Sequence, residues 1–291
     1  MTQVILHLGA HKTATTFVQK CLQKNQAMLS GISVPELLTL RHGVTDKLGK
    51  LSHVKSIDVS LAEMTGADSV VLSDENIIGY PDAAFKVGEF YPEVLARSGH
   101  FADWLGITPV KILFSIRPYE TYFPSAYAHW LAQERRHLSR DQVIGKVLNL
   151  QRGWHDVVAD IKTVFPDTPI AVTEYTPDAA FIDRQLAELV GSVAQKLEYD
   201  TGIFWNRGLR PPRLKKMEAL IETGRADDDS VDALRKQKMR GKPTSYHQFW
   251  SDAEKQVLQQ RYARDRQAVF ALAADTGRSG KSTRDSGIEK C

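Results

Sequence analysis

The fold is decided by the stretch VILHLGAHKTATT, residues 4–16 of the chain. Its apolar first half predicts a buried strand, and a short polar turn follows. A helix is predicted from Thr15 onward, because Phe17, Cys21 and Leu22 recur at the spacing of one helix face. A strand, a tight polar turn and a helix N-terminus in this order direct backbone N–H groups and the helix dipole to one point, which predicts an anion-binding loop.

The loop departs from the nucleoside-triphosphate pattern G-x-x-x-x-G-K-[ST]. Gly9 and Thr16 fit its first and last positions, but Ala14 replaces the second glycine and Thr15 replaces the lysine. The nearest lysine, Lys12, stands three residues earlier. The loop therefore lacks the side chain that acts on a transferred γ-phosphate, although its N–H groups, hydroxyls and one ammonium still suit a phosphate. The plainer interpretation is a turn whose polar residues only cap a helix.

A second motif lies where another apolar strand ends, at Arg117-Pro118. Proline suits the first turn of a helix, since the N–H that it lacks has no partner there. The predicted helix carries Ser125 eight residues after Arg117, and it contains Pro124, which we expect to bend the helix just before that serine. Taken singly, Arg117 fits a salt bridge with Glu120 or another acid equally well, and Ser125 fits an ordinary hydroxyl on a helix face.

Together, the strings HKTATT at 11–16 and IRPYETYFPSAY at 116–127 resemble the nucleotide-binding motifs of sulfotransferases that use 3′-phosphoadenosine 5′-phosphosulfate (PAPS). The resemblance covers residues 3–20 and 110–130. It implies a P-loop-like α/β fold and the transfer of a sulfuryl group from PAPS to an acceptor hydroxyl or amine. It also implies that 3′-phosphoadenosine 5′-phosphate is the product and that no metal is needed.

The resemblance gives each matched residue a role. Lys12 would stabilise charge on the departing phosphate, while Arg117 and Ser125 would hold the 3′-phosphate. A Ser-x-Glu sequence at the end of a further predicted strand makes Glu75 the candidate base for the acceptor proton, and His11 is the rival base. A late basic loop is similar to one that closes over the nucleotide phosphates in some glycan sulfotransferases. The other candidate nucleotide ligands lie in this loop and in the rest of the first loop: Thr13, Ala14, Thr15, Thr16, Arg240, Gly241 and Lys242.

Apolar strands alternate with helical stretches along the chain. This order predicts a three-layer α/β/α fold with a central parallel sheet of about four to five strands and additional helices. The strands are expected at 4–8, 68–76 (with a polar end), 110–117 and 169–175. Because ligands bind at the carboxyl ends of parallel strands, Glu75 should face the same crevice as the first loop.

We predict one domain over 1–275, with helical additions at about 30–66 and 205–275, and a flexible tail at 276–291. The tail contains GRSGKST, which superficially matches the nucleoside-triphosphate loop. We reject that match, because Asp275 stands where the pattern needs its first glycine and a predicted helix precedes the segment.

The chain has 291 residues, of which 42% are apolar and 25% charged, with a formal net charge of +3. This composition is ordinary for a globular protein and predicts no nucleic-acid partner. Two cysteines, Cys21 and Cys291, do not predict a disulfide framework. The first strand begins too early for a signal peptide, and no apolar run approaches a membrane span. We therefore expect a cytoplasmic protein without a transmembrane segment and, from ligand spacing, without a metal site.

Several alternatives stay open from the sequence. The chain could instead be a kinase-like P-loop enzyme or a non-catalytic nucleotide-binding protein. Glu75 could simply cap the next turn, and the basic loop at 240–242 could be ordinary surface. The expected acceptor is a carbohydrate or a lipid-linked glycan. Four aromatic residues could stack on a sugar or belong to the core: Tyr80, Phe85, Tyr127 and Trp130.

Overall fold

The computed structural model of the protein describes residues 2–50, 57, 60–61, 67–200, 211–236 and 249–275. Over these residues the chain forms one five-stranded, all-parallel sheet with helices packed on both faces. The predicted three-layer α/β/α class is confirmed. The strands are β1 (Gln3–His7), β2 (Ile32–Ser33), β3 (Ser69–Ser73), β4 (Lys111–Ile116) and β5 (Ile170–Glu174).

The strand order is β2-β3-β1-β4-β5, so the first strand lies at the centre of the sheet. β1 pairs with β3 on one side and with β4 on the other, both parallel. The four strands that the sequence predicts are all present. β2 lies in the region predicted to be a helical addition, and its two residues are too few to give a periodic signal.

Both faces of the sheet are buried, as successive side chains of each strand point to opposite sides. Leu6, Leu72 and Ile112 are adjacent in register and belong to the larger hydrophobic cluster. Val71 and Leu113, one position along, belong to the smaller cluster on the other face. The apolar runs of the sequence are therefore central strands of a doubly covered sheet.

Within the described residues, the helices are α1 (Thr15–Lys24), α2 (Leu37–Leu40), α3 (Ala83–Lys86), α4 (Val94–Leu105), α5 (Tyr119–Glu134), α6 (Arg140–Leu148), α7 (Trp154–Val164), α8 (Ala179–Val190), α9 (Pro211–Glu222), α10 (Asp228–Lys236) and α11 (Asp252–Ala274). A π-helical turn, Arg41–Thr45, continues α2. The helices α1 and α8 supply the smaller cluster, and the rest contribute to the larger one. None of the described helices combines the length and apolar character needed to cross a bilayer.

The helix α5 runs through Pro124 to Glu134. Proline leaves the carbonyl of Glu120 without its helical donor. The indole N–H of Trp250 donates to that carbonyl at 2.9 Å. A side chain from the segment before α11 thus satisfies the backbone group that Pro124 frees, and Ser125 stays within the helix.

Two sequence predictions lie outside the described residues, namely the flexible tail at 276–291 and the basic loop at 240–242. The helix α4 is additional to those the sequence predicts, whereas α10 lies within the predicted helical addition at 205–275. The sequence between Arg140 and Phe165 predicts one or two helices with Trp154, Val157, Val158 and Ile161 inward. The structure has two, α6 and α7, and these four residues are buried on α7.

Candidate active site at the carboxyl ends of the strands

The loop between β1 and α1 has the backbone form of an anion-binding loop. Lys12 has φ 68° and Ala14 has φ 65°, whereas Thr13 between them has an ordinary negative φ. This alternation turns successive N–H groups toward one side of the chain, which makes a concavity for an anion. A left-handed non-glycine residue costs about 1–2 kcal/mol, so the loop holds strain that must be supported by its neighbours.

The threonines of the loop support that shape. The hydroxyl of Thr13 donates to the carbonyl of Ala10 at 2.6 Å, and that of Thr15 approaches the same carbonyl at 3.5 Å. Gly9, with φ 42°, leaves room for Thr15, because a Cβ at residue 9 would lie 2.4 Å from the Thr15 Oγ1 atom. Each hydroxyl has a single proton to donate. Thr13 and Thr15 therefore shape the loop, while its N–H groups and the half-buried Thr16 remain for a phosphate.

Arg117, at the end of β4, connects the two predicted motifs. Its Nη1 donates to the carbonyl of Lys12 at 2.7 Å, and its Nε donates to the hydroxyl of Thr121 at 3.1 Å. The guanidinium also lies over the ring of Tyr175, 4.8 Å from the ring centre, just after β5. The carbonyl of Arg117 accepts the indole N–H of Trp154 at 2.9 Å. These contacts fix a cation beside the anion-binding loop.

Ser125 is buried on α5, one helical turn beyond Thr121. Residues four apart lie on the same helix face, so Thr121 stands between Arg117 and Ser125 along that face. Sequence reasoning missed Thr121, although its spacing from both residues is the same. Glu120, the predicted salt-bridge alternative for Arg117, lies instead 3.5 Å from the side-chain nitrogen of Gln259.

His11 is fixed through both of its ring nitrogens. Its Nε2 lies 2.9 Å from the Asn76 side-chain oxygen, and its Nδ1 lies 3.1 Å from the hydroxyl of Tyr91. That phenol oxygen also accepts the backbone N–H of His11 at 3.3 Å, and it lies 3.0 Å from the hydroxyl of Tyr122. All these groups are satisfied when Nε2 carries the proton and Nδ1 accepts from Tyr91.

This arrangement bears on the choice of base. Burial lowers the pKa of His11 to about 4, so the imidazole is neutral at neutral pH. Its basic nitrogen already accepts a hydrogen bond from Tyr91 and is enclosed by protein. The geometry thus favours a structural role for His11, which joins the loop to Tyr91 and to Asn76 after β3, and Glu75 remains the candidate base.

Glu75 follows β3 and therefore lies at the same edge of the sheet as the loop. Its carboxylate lies 3.4 Å from the Gln19 Nε2 atom and 3.5 Å from the Arg41 Nη2 atom. Its side chain is 12% exposed. The alternative that it caps the next turn does not apply, because the cap is Asp74, whose carboxylate accepts the N–H of Asn76 at 3.0 Å.

The pKa of Glu75 is raised, first by burial and then by the charge of Asp74, while Arg41 acts in the opposite direction. A raised pKa makes the carboxylate a stronger base at neutral pH. This is the environment that a group needs in order to take a proton from an acceptor hydroxyl or amine.

Sequence reasoning missed the charged groups behind Glu75. Asp74 is fully buried and paired with Arg41, whose Nη2 lies 2.6 Å from its carboxylate. Arg97 is also buried, and it donates to the carbonyls of Asn76 and Thr45 at 2.7 and 2.8 Å. Arg41 and Arg97 approach from distant parts of the sequence, and only the position of Asp74 beside Glu75 hinted at the cluster.

The four aromatic residues proposed for sugar stacking separate into two groups. Phe85, Tyr127 and Trp130 are buried in the larger hydrophobic cluster, at 1%, 1% and 3% exposure. Tyr80 is 40% exposed, and its ring centre lies 6.2 Å from that of His11. Of the four, Tyr80 is therefore the ring that an acceptor can reach.

The structure also contains a cavity that lies away from this edge of the sheet. A cavity of about 340 Å³ is lined by Ala102, residues 106–108 and residues 164–167, which precede β4 and β5 and so lie at the opposite end of the parallel strands. Among the described residues, no group of three or more His, Cys, Asp or Glu side chains could hold a metal ion. No protein-family model, curated protein or solved structure matches the chain.

Proposed function

We propose that the protein transfers a sulfuryl group from PAPS to a hydroxyl or amine of an acceptor, with a carbohydrate or glycolipid as the expected class. The observation that carries this proposal is the contact of Arg117 with the carbonyl of Lys12. It places a second cationic group next to the anion-binding loop, which suits a nucleotide with phosphates on both its 5′ and 3′ sides. We propose a cytoplasmic location and no nucleic-acid partner on the sequence arguments alone.

The chain's residues fit such a nucleotide in two places. The N–H groups around Lys12 and Ala14, at the start of α1, suit the 5′-phosphate, because the backbone there alternates in hand. Arg117 and Ser125 suit the 3′-phosphate, with Thr121 between them on α5. Arg240, Gly241 and Lys242 keep their proposed role as a closing loop.

The transfer itself needs a base and a positive charge. The acceptor oxygen or nitrogen bonds to sulfur as the bond from sulfur to the 5′-phosphate oxygen breaks. The acceptor proton passes to Glu75, whose pKa is raised by burial and by Asp74. The ammonium of Lys12 stabilises the charge that develops on the departing phosphate, so catalysis depends on positioning and electrostatics.

The surroundings of Asp74 argue against a kinase-like enzyme. An acid directly after a strand beside the P-loop strand is where a nucleoside-triphosphate enzyme would hold Mg²⁺. Asp74 has that position, but its two oxygens accept from Arg41, Thr45 and the N–H of Asn76. The carboxylate is fully buried, and its oxygens are directed at these donors rather than at an open metal site.

Ligand-induced stabilisation tests the proposal. Thermal unfolding of the full chain is measured with 3′-phosphoadenosine 5′-phosphate, with adenosine 5′-phosphosulfate and with ATP–Mg²⁺. We expect the 3′-phosphorylated nucleotide to raise the Tm most. Stabilisation by ATP–Mg²⁺ but not by the 3′-phosphorylated nucleotide would overturn the proposal. Transfer of radiolabelled sulfate from PAPS to sugars, glycolipids and phenols then identifies the acceptor.

Arg117→Ala sharpens this test. We expect it to weaken binding of 3′-phosphoadenosine 5′-phosphate by about 2–4 kcal/mol, because a charge-assisted phosphate contact is lost. Binding of adenosine 5′-phosphosulfate, which lacks the 3′-phosphate, should change much less. Arg136→Ala, at an exposed arginine after α5, is the charge-matched control. Equal losses for both nucleotides would show that Arg117 acts only on the shape of the loop.

A further inference from the structure

Two neighbouring carboxyl groups at the end of β3 have different surroundings. Asp74 has 0% exposure, and four donors converge on its oxygens. The Nε and Nη2 of Arg41 donate at 3.3 and 2.6 Å, the hydroxyl of Thr45 donates at 2.6 Å, and the N–H of Asn76 donates at 3.0 Å. A protonated carboxyl has fewer free lone pairs, so this set of donors fits the carboxylate form.

Glu75 has much weaker support. Its contacts with the side chains of Gln19 and Arg41 are long, at 3.4 and 3.5 Å, and its side chain retains 12% exposure. Arg41 offers the same Nη2 atom to both acids, but it lies 0.9 Å closer to Asp74 than to Glu75, from 2.6 and 3.5 Å. The guanidinium is thus committed to Asp74.

We propose that Arg41 and Asp74 are positioning residues that form an ion pair beside Glu75 and so set the proton affinity of the Glu75 carboxylate. Arg41 comes from the π-helical turn Arg41–Thr45, and Thr45 of the same turn also holds Asp74. The role of the acceptor as the proton source rests on the proposed function. The difference between the Asp74 and Glu75 carboxyl groups rests on their hydrogen-bond geometry and does not depend on the proposed function.

The other groups that face Glu75 do not change this difference. Gln19, from α1, is an uncharged amide that also donates to the carbonyl of Ser73 at 2.9 Å. The charge of Glu75 acts on the phenol of Tyr91. That phenol is neutral, because burial raises its pKa. Among the described residues, the leading charges that act on Glu75 are that of Asp74, which opposes its ionisation, and that of Arg41, which favours it.

This arrangement predicts opposite effects for the two variants. Asp74→Asn removes the opposing charge and frees the guanidinium for Glu75, so the titration midpoint of Glu75 should fall by about 1 unit or more. Arg41→Gln removes the favourable charge, so the midpoint should rise by about 1 unit. A purely structural role for the ion pair would not move the midpoint in opposite directions.

The experiment is a ¹³C NMR titration of the full chain with glutamate labelled at the side-chain carboxyl. Glu75→Gln assigns the Glu75 signal by its loss. Asp82→Asn is the control, because Asp82 is an acid paired with Lys86 on α3, and it should leave the Glu75 midpoint almost unchanged. Where transfer activity is found, the acidic limb of the pH–rate profile should shift in the same directions as the NMR midpoints.

The outcomes separate the two proposals. Opposite NMR shifts without any transfer would support this inference and count against the proposed function. Shifts in the same direction, or none, would overturn this inference even if PAPS is a substrate. If Asp74→Asn fails to fold, Arg41→Gln decides, since Arg41 is 23% exposed and its loss should still raise the midpoint. An unchanged midpoint in Arg41→Gln would then overturn the proposal.

Discussion

The burial of His11 predicts a specific loss of stability on acidification. Burial lowers the pKa of His11 to about 4 from an ordinary 6.5, so the unfolded chain binds this proton more tightly than the folded protein. The contribution of His11 to the free energy of unfolding therefore rises with pH between about 4 and 6.5, and it is lost as the pH falls through this range. For His11 alone, the loss between pH 7 and pH 5 is about 2 kcal/mol.

His11→Gln isolates this contribution. Urea unfolding of both proteins at pH 7 and pH 5 should show that the variant loses about 2 kcal/mol less stability on acidification than the natural chain. His7, with its pKa also lowered to about 4 by burial, and Glu75, which acts with the opposite sign, contribute equally to both proteins and cancel.

The control is His42→Gln, because His42 is exposed. This variant should leave the difference in the free energy of unfolding between pH 7 and pH 5 unchanged. Equal acid losses in the natural chain and in His11→Gln would refute the argument. Such a result would mean that burial does not keep His11 neutral in the folded protein.

Four further predictions follow from the site. Ala14→Gly should stabilise the protein by about 0.5–1 kcal/mol in chemical denaturation, since relief of a left-handed alanine exceeds the entropy that glycine adds to the unfolded chain. Gly9→Ala should cost about 2–4 kcal/mol, against about 1 for the open, left-handed Gly88→Ala, and equal costs would contradict the predicted clash with Thr15. In transfer kinetics, Lys12→Ala should lower kcat more than it weakens PAPS binding, and a raised KM with normal turnover would refute its role. Glu75→Gln should bind PAPS normally, lose about 10²–10⁴-fold in turnover and lose the acidic limb of the pH–rate profile, and near-full activity would exclude it as the base.

The sheet was predictable because its strands are short apolar runs bounded by polar residues. Burial on both faces requires such runs, and the sequence offers few other ways to place them. The edge strand β2 gave no such signal, since its two residues gain their place from pairing with β3 rather than from their own pattern. The helix α4 was missed in a segment rich in aromatics, where burial in the larger cluster determines the structure.

The loop and the acids at the strand ends could be placed, since parallel strands direct all their carboxyl ends to one edge. Their partners could not be. Tyr91 lies 80 residues from His11, and Arg117 lies 105 residues from Lys12. Contacts of that separation depend on how the helices pack. The sequence therefore identified Glu75 as an acid near the loop, but not the pairing of Asp74 with Arg41 that distinguishes the two carboxyls.

The absence of the usual second glycine links these observations. In a loop built with glycine, the backbone adopts a left-handed conformation at little cost, and the loop needs few supports. Here Lys12 and Ala14 adopt it with side chains in place, so neighbouring groups must stabilise the strained form. His11 ties the loop to Asn76 and Tyr91, and Arg117 ties it to β4. These hydrogen bonds join the loop to the strand ends that carry Glu75 and Arg117. We therefore expect a change at any of these supports to alter nucleotide binding as well as stability.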